Sequence, residues 1–137
     1  MREKYYIEPL SGKKSDNEDE LKQVEKHPIH GDITFVIEEG DNAIECIKDM
    51  TMGLLYINVR LPKDSITKPE VVEIVNRTVP SKLSLVNYEV KNYMVNNTTY
   101  RVANIILEGT SKSLIVVDIE ELCDRLLTNL LNVARCS

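Results

Sequence analysis

The sequence predicts an α/β fold with the order β-α-β-α-β-β, followed by an added C-terminal strand and helix. Two stretches, 32–38 and 55–61, alternate apolar and polar residues as strands do. A third stretch, 71–85, has apolar residues at helical spacing up to Pro80 and then an alternating strand. A chain of 137 residues, 42% of them hydrophobic, is large enough for one domain around a single core.

The N-terminal part and the first three core elements are assigned from composition and spacing. Residues 1–31 are polar and charged, which predicts a flexible N-terminal tail. A strand is predicted over 32–38, and a second strand over 55–61. Between them a short helix over 42–51 is predicted from apolar residues that recur at helical spacing: Ala43, Ile44, Ile47 and Met50.

The second helix carries the clearest local signals. Thr67 with Glu70 three residues later is a capping-box pattern, and Pro69 lies in the first turn, where its missing N–H costs nothing. Pro80 ends the helix, and a strand follows over about 83–95. The pair Asn96-Asn97 predicts a hairpin turn, since Asn tolerates positive φ, and leads to a last core strand over 99–107.

Residues 109–137 form the predicted C-terminal extension. A strand is predicted over 114–117, and Asp118 with Glu121 predicts the start of a helix that runs to about residue 134. This helix has a broad apolar face that must be buried, either on the sheet of its own chain or against another chain. As an interface it would use these residues: Ile119, Leu122, Leu126, Leu127 and Leu130.

The order of elements over 32–108 resembles that of the Alba superfamily, small archaeal chromatin and RNA-binding proteins with relatives among the small subunits of ribonuclease P and MRP. The segment most similar to the family is Val72-Glu73-Ile74-Val75 with Asn76-Arg77, Pro80 and Lys82, which looks like the second helix and following strand. Arg101-Val102-Ala103 and the residues after it are similar to the family's final strand.

The resemblance implies a dimeric protein that holds nucleic acid with its loops and with a hairpin that extends as an arm. Carried over residue by residue, the expected phosphate contacts are Arg60, Lys63, Lys68, Lys91 and Arg101, and the expected stacking residues are Tyr93 and Tyr100. The loop after the first strand departs from the family, because Glu38-Glu39-Gly40-Asp41 places three acids where lysines are usual and would repel phosphate.

Composition and motifs limit the other classes of function. The net charge of −5 opposes non-specific binding to nucleic acid, and no apolar run is long enough to span a membrane. No nucleophile motif, phosphate-binding glycine motif or metal-ligand cluster is present, so we expect neither an enzyme nor a cofactor or metal. The three cysteines, Cys46, Cys123 and Cys136, lie far apart in the sequence, and we expect them to be reduced thiols. Reduced thiols are typical of an intracellular protein, cytoplasmic or nuclear.

Two functional hypotheses follow. The first is a non-catalytic Alba-like protein associated with RNA or DNA, as a homo- or heterodimeric subunit of a nucleoprotein complex. The second is a protein-interaction or assembly module without nucleic-acid binding, in which the apolar C-terminal helix is the interface.

Overall fold

The computed structural model describes residues 2–24 and 33–135, with the side chains of 22–24 excepted. In this part of the chain the fold is α/β, with seven strands and four helices. The strands are β1 (Arg2–Glu8), β2 (Lys13–Ser15), β3 (Thr34–Glu39), β4 (Asn42–Asp49), β5 (Leu54–Pro62), β6 (Ser84–Val95) and β7 (Thr98–Glu108). The helices are α1 (Glu18–Val24), α2 (Lys68–Thr78), α3 (Ser111–Val116) and α4 (Ile119–Arg135).

The seven strands form one open sheet in the order β2-β1-β3-β4-β5-β7-β6, and every neighbouring pair is antiparallel. Strands β3, β4 and β5 are consecutive in sequence and adjacent in space. Helix α2 then takes the chain past the position of β7, so that β6 becomes an edge strand and β7 returns between β5 and β6.

The hydrophobic core lies on one face of this sheet, which we call the helix face. The inward side chains of the four central strands are Phe35, Ile37, Ile44, Cys46, Leu55, Ile57, Val59, Leu61, Ala103, Ile105 and Leu107. Helix α4 covers them and packs against β3, β4, β5 and α2. Side chains at the alternate positions of the strands point to the opposite face.

Several sequence predictions are confirmed. The two alternating stretches are β3 and β5, the capped helix is α2, and the hairpin strands are β6 and β7. Asn96 and Asn97 have φ values of 50° and 68°, as a two-residue turn with positive φ at both positions requires. The C-terminal helix is α4, and the Glu121 N–H donates to the Asp118 carboxylate at 3.1 Å.

The Thr67 capping box provides a direct test of the local prediction. The Glu70 N–H donates to Thr67 Oγ1, and the Thr67 N–H donates to the Glu70 carboxylate at 2.9 Å. Thr67→Ala is expected to lower the free energy of unfolding by about 1 kcal/mol, measured by urea denaturation. Thr67→Ser keeps the oxygen and serves as the control; equal losses in both variants would contradict a capping role.

The predicted helix over 42–51 is wrong, because these residues form strand β4. Ile44 and Cys46 face the core, whereas Ala43 and Ile47 lie on the opposite face, and all four pair with β3 and β5 on either side. A strand with apolar residues on both faces imitates helical spacing over a short stretch. The core order is therefore β-β-β-α-β-β, and the predicted β-α-β-α-β-β order is incorrect at its second element.

The predicted strand over 114–117 is also wrong, since Ser111–Val116 form the short helix α3. The Ser113 N–H donates to Thr110 Oγ1 at 3.0 Å and caps this helix. Leu114 is buried, while Ile115 and Val116 are exposed. A short apolar run without periodicity fits a strand or one buried helical turn equally well, and only the packing of Leu114 distinguishes them.

The flexible tail predicted over 1–31 is incorrect for residues 2–24, whereas residues 1 and 25–31 lie outside the described residues. Strand β1 pairs with β3 over six residue pairs, from Arg2 opposite Glu39 to Ile7 opposite Thr34. Tyr6 packs on Phe35 with ring centroids 4.9 Å apart, and Leu21 of α1 is fully buried. The segment is polar overall, and the packing of its few apolar residues, such as Tyr6 and Leu21, depends on contacts that form only in the folded chain.

Candidate binding surface

The face of the sheet opposite the helix face has no helix packed on it among the described residues, and we call it the open face. Strand register aligns its side chains in rows across the sheet. One row contains Glu45, Asn58, Asn104 and Glu89; the next rows contain Ile47, Tyr56 and Ile106 on one side, and Ala43, Arg60, Val102 and Lys91 on the other. Apolar, amide and charged groups therefore meet on one accessible surface.

Two adjoining cavities run along this surface. One of about 300 Å³ is lined by residues of β4 to β7: Ala43, Glu45, Asn58, Arg60, Tyr93, Met94, Val95, Val102 and Asn104. The other, of about 190 Å³, shares Glu45, Asn58 and Asn104 with it and continues over Ile47, Tyr56 and Ile106. We call the two together the open-face groove. The two cavities follow one another in the strand direction, so their shape and lining suit an extended chain that lies along the strands.

Polar groups at the centre of the groove have unused hydrogen-bonding capacity. The Asn58 Nδ2 donates to the Asn104 Oδ1 at 2.5 Å, and neither the Asn104 amide N–H groups nor the Asn58 carbonyl oxygen of the side chain bonds any other described residue, so both can bond a ligand. Glu45 is exposed and forms no ion pair with any described residue. The central row of the groove is therefore polar and has the negative charge of Glu45, while Arg60 lies in the next row of the same cavity.

Four of the seven predicted nucleic-acid contacts lie together on the open face. The Arg60 guanidinium lies 5.0 Å from the centre of the Tyr100 ring, and Tyr100 pairs across the strands with Tyr93. Lys91 Nζ lies 5.2 Å from the centre of the Tyr93 ring. The hairpin and β5 thus bring two aromatic rings and two cations into one cluster.

Both cations of this cluster already have partners. The Arg60 Nε donates to the carbonyl oxygen of Asp41 at 2.8 Å, and Lys91 Nζ lies 2.6 Å from the Glu89 carboxylate. The hydrogen bond between Lys91 and Glu89 raises the pKa of the lysine and lowers the pKa of the glutamate. The Glu89 carboxylate reduces the positive charge that Lys91 offers to a phosphate, whereas Arg60 bonds a neutral carbonyl and keeps its charge.

The other three predicted contacts lie elsewhere. The Arg101 Nε donates to the Ile66 carbonyl oxygen at 2.8 Å on the helix face, where Lys68 lies over the ring of Tyr88. Lys63 lies after β5 and lines a separate cavity with Tyr100. Consecutive strand residues such as Tyr100 and Arg101 point to opposite faces, so a sequence cluster is divided between two surfaces.

The predicted interface residues are inside the chain's own core. Leu126, Leu127 and Leu130 have no exposed surface, and Leu122 is 5% exposed. Ile119 is partly buried against the same cluster. Of the two predicted alternatives, the apolar face of the C-terminal helix is buried on the sheet of its own chain. The prediction that this face is a subunit interface is incorrect for the folded chain.

Sequence reasoning missed Glu45, Asn104 and Ile106 as surface residues of one groove. Tyr56 and Asn58 occupy the polar positions of an alternating strand, and this alternation predicts that the strand has one exposed face. Glu45 had no such signal once its segment was predicted to be a helix. The groove exists only because β7 inserts beside β5, and no local pattern encodes that order.

Cys46 and Cys123 are buried free thiols of the core. A hydrogen bond with Cys46, together with burial, raises the pKa of the Cys123 thiol well above its usual value. Because the thiolate is the reactive form, we expect at most one of the three cysteines to react with Ellman's reagent in the native protein at pH 8. All three should react in concentrated urea. Rapid reaction of two or more native thiols would contradict this packing.

Within residues 2–24 and 33–135 no group of three or more His, Cys, Asp and Glu side chains is arranged to hold a metal ion. No helix in the same part of the chain is long and apolar enough to cross a membrane. Comparison of the chain with protein-family models, with curated proteins and with solved structures finds no match.

Proposed function

We propose that this protein is a non-catalytic interaction module that binds an extended polypeptide segment in the open-face groove. The supporting observation is the lining of the groove, which combines apolar walls with amides and the exposed carboxylate of Glu45. This retains the assembly-module hypothesis and moves its binding surface from α4 to the sheet.

The chemistry of the groove indicates the kind of peptide. Ile47, Tyr56 and Ile106 offer an apolar strip for aliphatic or aromatic side chains. The Asn58–Asn104 pair can bond a peptide backbone, as amide side chains both donate and accept. Glu45, which forms no ion pair with any described residue, favours a Lys or Arg of the partner. The expected ligand is therefore a basic, partly apolar segment.

The test is selection of 12-residue peptides from a random displayed library, with affinities then measured by fluorescence anisotropy. We expect enrichment of sequences that combine Lys or Arg with apolar residues. Glu45→Lys should weaken their binding at least about tenfold through charge reversal in the groove. Glu73→Lys, the same change on an exposed position of α2, is the matched control and should have little effect.

Failure to enrich any peptide, or equal affinity of the wild type and Glu45→Lys, would overturn the proposal. The same variant, Glu45→Lys, should change the affinity in opposite directions for a basic peptide and for a nucleic acid. Replacing this carboxylate with an ammonium group weakens the binding of a basic peptide but strengthens the binding of a phosphate backbone. An increased affinity for single-stranded nucleic acid in Glu45→Lys would therefore favour the second candidate.

That second candidate is an Alba-like role in which single-stranded RNA or DNA lies across the open face. The cluster of Arg60, Tyr100, Tyr93 and Lys91 favours it, since aromatic rings beside cations stack on bases. The acids of the same face oppose it, namely Glu45 and Glu89. These two acids offset the two cations of the face, so charge gives a phosphate backbone no net attraction, and the apolar strip of Ile47, Tyr56 and Ile106 makes the peptide the first candidate.

Anisotropy with labelled 20-nucleotide oligo(U) and oligo(dT) at about 50 mM salt tests this candidate where electrostatic attraction is strongest. If it holds, Tyr93→Ala should cost about 1–3 kcal/mol of binding free energy. Tyr88→Ala, on the same strand but on the helix face, is the control. Absence of binding at this salt concentration would exclude the nucleic-acid role.

A further inference from the structure

Strand β6 is a long edge strand. It has 12 residues, and no described strand pairs with its outer side, whereas the opposite edge of the sheet is the three-residue strand β2. Val86, Met94 and Val95 on β6 are 49%, 72% and 41% exposed. Long apolar edges attract further strands, and proteins usually shorten, cover or charge them. The only charged residues of β6 are Glu89 and Lys91, near its middle.

The turn geometry shows which backbone groups of β6 are available. A two-residue turn is closed by a hydrogen-bonded pair of its flanking residues, here Val95 and Thr98. Hydrogen bonding then alternates along the strand, so odd-numbered residues bond to β7. The backbone N–H and C=O groups of Tyr88, Val90 and Asn92 point outward, where they can form hydrogen bonds with a further strand.

The charges of β6 distinguish between ways of pairing it with itself. In an antiparallel pair of identical strands, the two facing residue numbers have a constant sum, which must be even for the hydrogen bonds to match. With Val90 opposite Val90, Glu89 faces Lys91 of the second copy, and Lys91 faces its Glu89. Moving the centre by one residue places Glu89 opposite Glu89, or Lys91 opposite Lys91, and like charges directly opposite are unfavourable.

We propose that the outer edge of β6 pairs antiparallel with β6 of a second copy of this chain, in the register centred on Val90. Glu89 and Lys91 then occupy non-hydrogen-bonded positions, where the facing side chains approach most closely. The ion pair between them within one chain is exchanged for two pairs between chains. The exposed side chains of Val86 and Met94 come near each other at both ends.

This pairing goes beyond the proposed groove function, because it uses the strand edge and a different partner. The two-fold axis of such a dimer is perpendicular to the sheet, so the two sheets join into one continuous sheet. Both open-face grooves then lie on the same side of it, and both sets of helices lie on the other. A dimer would present two peptide sites side by side.

The test measures mass by light scattering during size-exclusion chromatography of the full chain at about 100 µM. We expect wild type at twice the 15.6 kDa chain mass. Lys91→Glu and Glu89→Lys each place like charges opposite one another twice, and should weaken dimerisation at least about tenfold. The double variant Glu89→Lys with Lys91→Glu restores opposite charges and should recover the dimer.

Lys112→Glu, the same charge change on an exposed position of α3, is the control for Lys91→Glu and should remain dimeric. A monomeric wild type would overturn the proposal. Single variants that stay dimeric, or a double variant that stays monomeric, would each overturn the pairing centred on Val90. Circular dichroism identifies any variant that fails to fold, and for such a variant Glu89→Gln and Lys91→Gln provide milder tests of the same pairs. Peptide binding is a separate measurement, so failure of the dimer leaves the groove testable.

Discussion

Leu126→Ala is expected to lower the free energy of unfolding by about 2–5 kcal/mol. Leu126 has no exposed surface and lies on α4, which packs against α2 and three central strands. Truncation removes buried apolar atoms and leaves a cavity that the surrounding helices and sheet fill only partly. Equilibrium urea denaturation, followed by circular dichroism, measures the loss. The size of this effect reflects the central position of α4 in the core.

The matched control is Ile115→Ala on α3, an apolar side chain that is 69% exposed. Its expected change is within about 0.5 kcal/mol, because little surface is removed from contact. If Leu126→Ala altered only the oligomeric state and left the urea midpoint unchanged, α4 would be an interface helix. A chain that ends at Gly109 should accordingly lose cooperative unfolding, since it lacks the helix that covers the sheet.

Arg2→Ala is expected to lower the free energy of unfolding by about 1–2 kcal/mol at pH 7. The Arg2 Nε donates to the Glu39 carboxylate at 2.9 Å, and its Nη1 donates to the Asp124 carboxylate at 2.5 Å. Arg135 forms a second ion pair with Glu39. One side chain thus connects β1 to β3 and to α4, so its removal affects three elements. Arg2→Lys, which cannot reproduce both hydrogen bonds, should recover only part of the loss.

The same network predicts the pH dependence of stability. Hydrogen bonds from Arg2 and Arg135 lower the pKa of Glu39 below its usual value of 4.5. A lowered pKa means that the stabilisation is present above about pH 4.5 and is lost as the pH falls through the lower value of the folded state. Glu39→Gln should therefore be less stable than wild type at pH 7, and the difference should shrink in acid. A difference that grew in acid would contradict the assignment.

Local sequence patterns predicted α2 and the β6–β7 hairpin because each depends on contacts within a few residues. Thr67 and Glu70 cap one another, and Asn96-Asn97 form the turn without help from distant parts of the chain. The prediction for residues 42–51 failed for the opposite reason. A central strand such as β4 is specified by its two neighbours, and its apolar residues on both faces resemble a helix when read alone.

The candidate site shows the same division. The resemblance implies a common site for Arg60, Tyr93 and Tyr100, and strand alternation does bring their side chains together. The resemblance also implies a phosphate contact by Arg101, the neighbour of Tyr100, but strand alternation places Arg101 on the helix face. Glu45 and Asn104, which set the charge and polarity at the centre of the groove, are separated by 59 positions in the chain and meet only across β5.

The sequence by itself determined the α/β class, the capped helix, the hairpin and the need to bury the apolar face of the last helix. Tertiary structure alone decided the strand order, the place of the N-terminal strand and the burial of α4 within one chain. It also decided which side chains share the open face. The physical reason is range: caps, turns and periodicity act within a few residues, whereas strand order and face are set by the global burial of apolar surface and by pairing between distant segments.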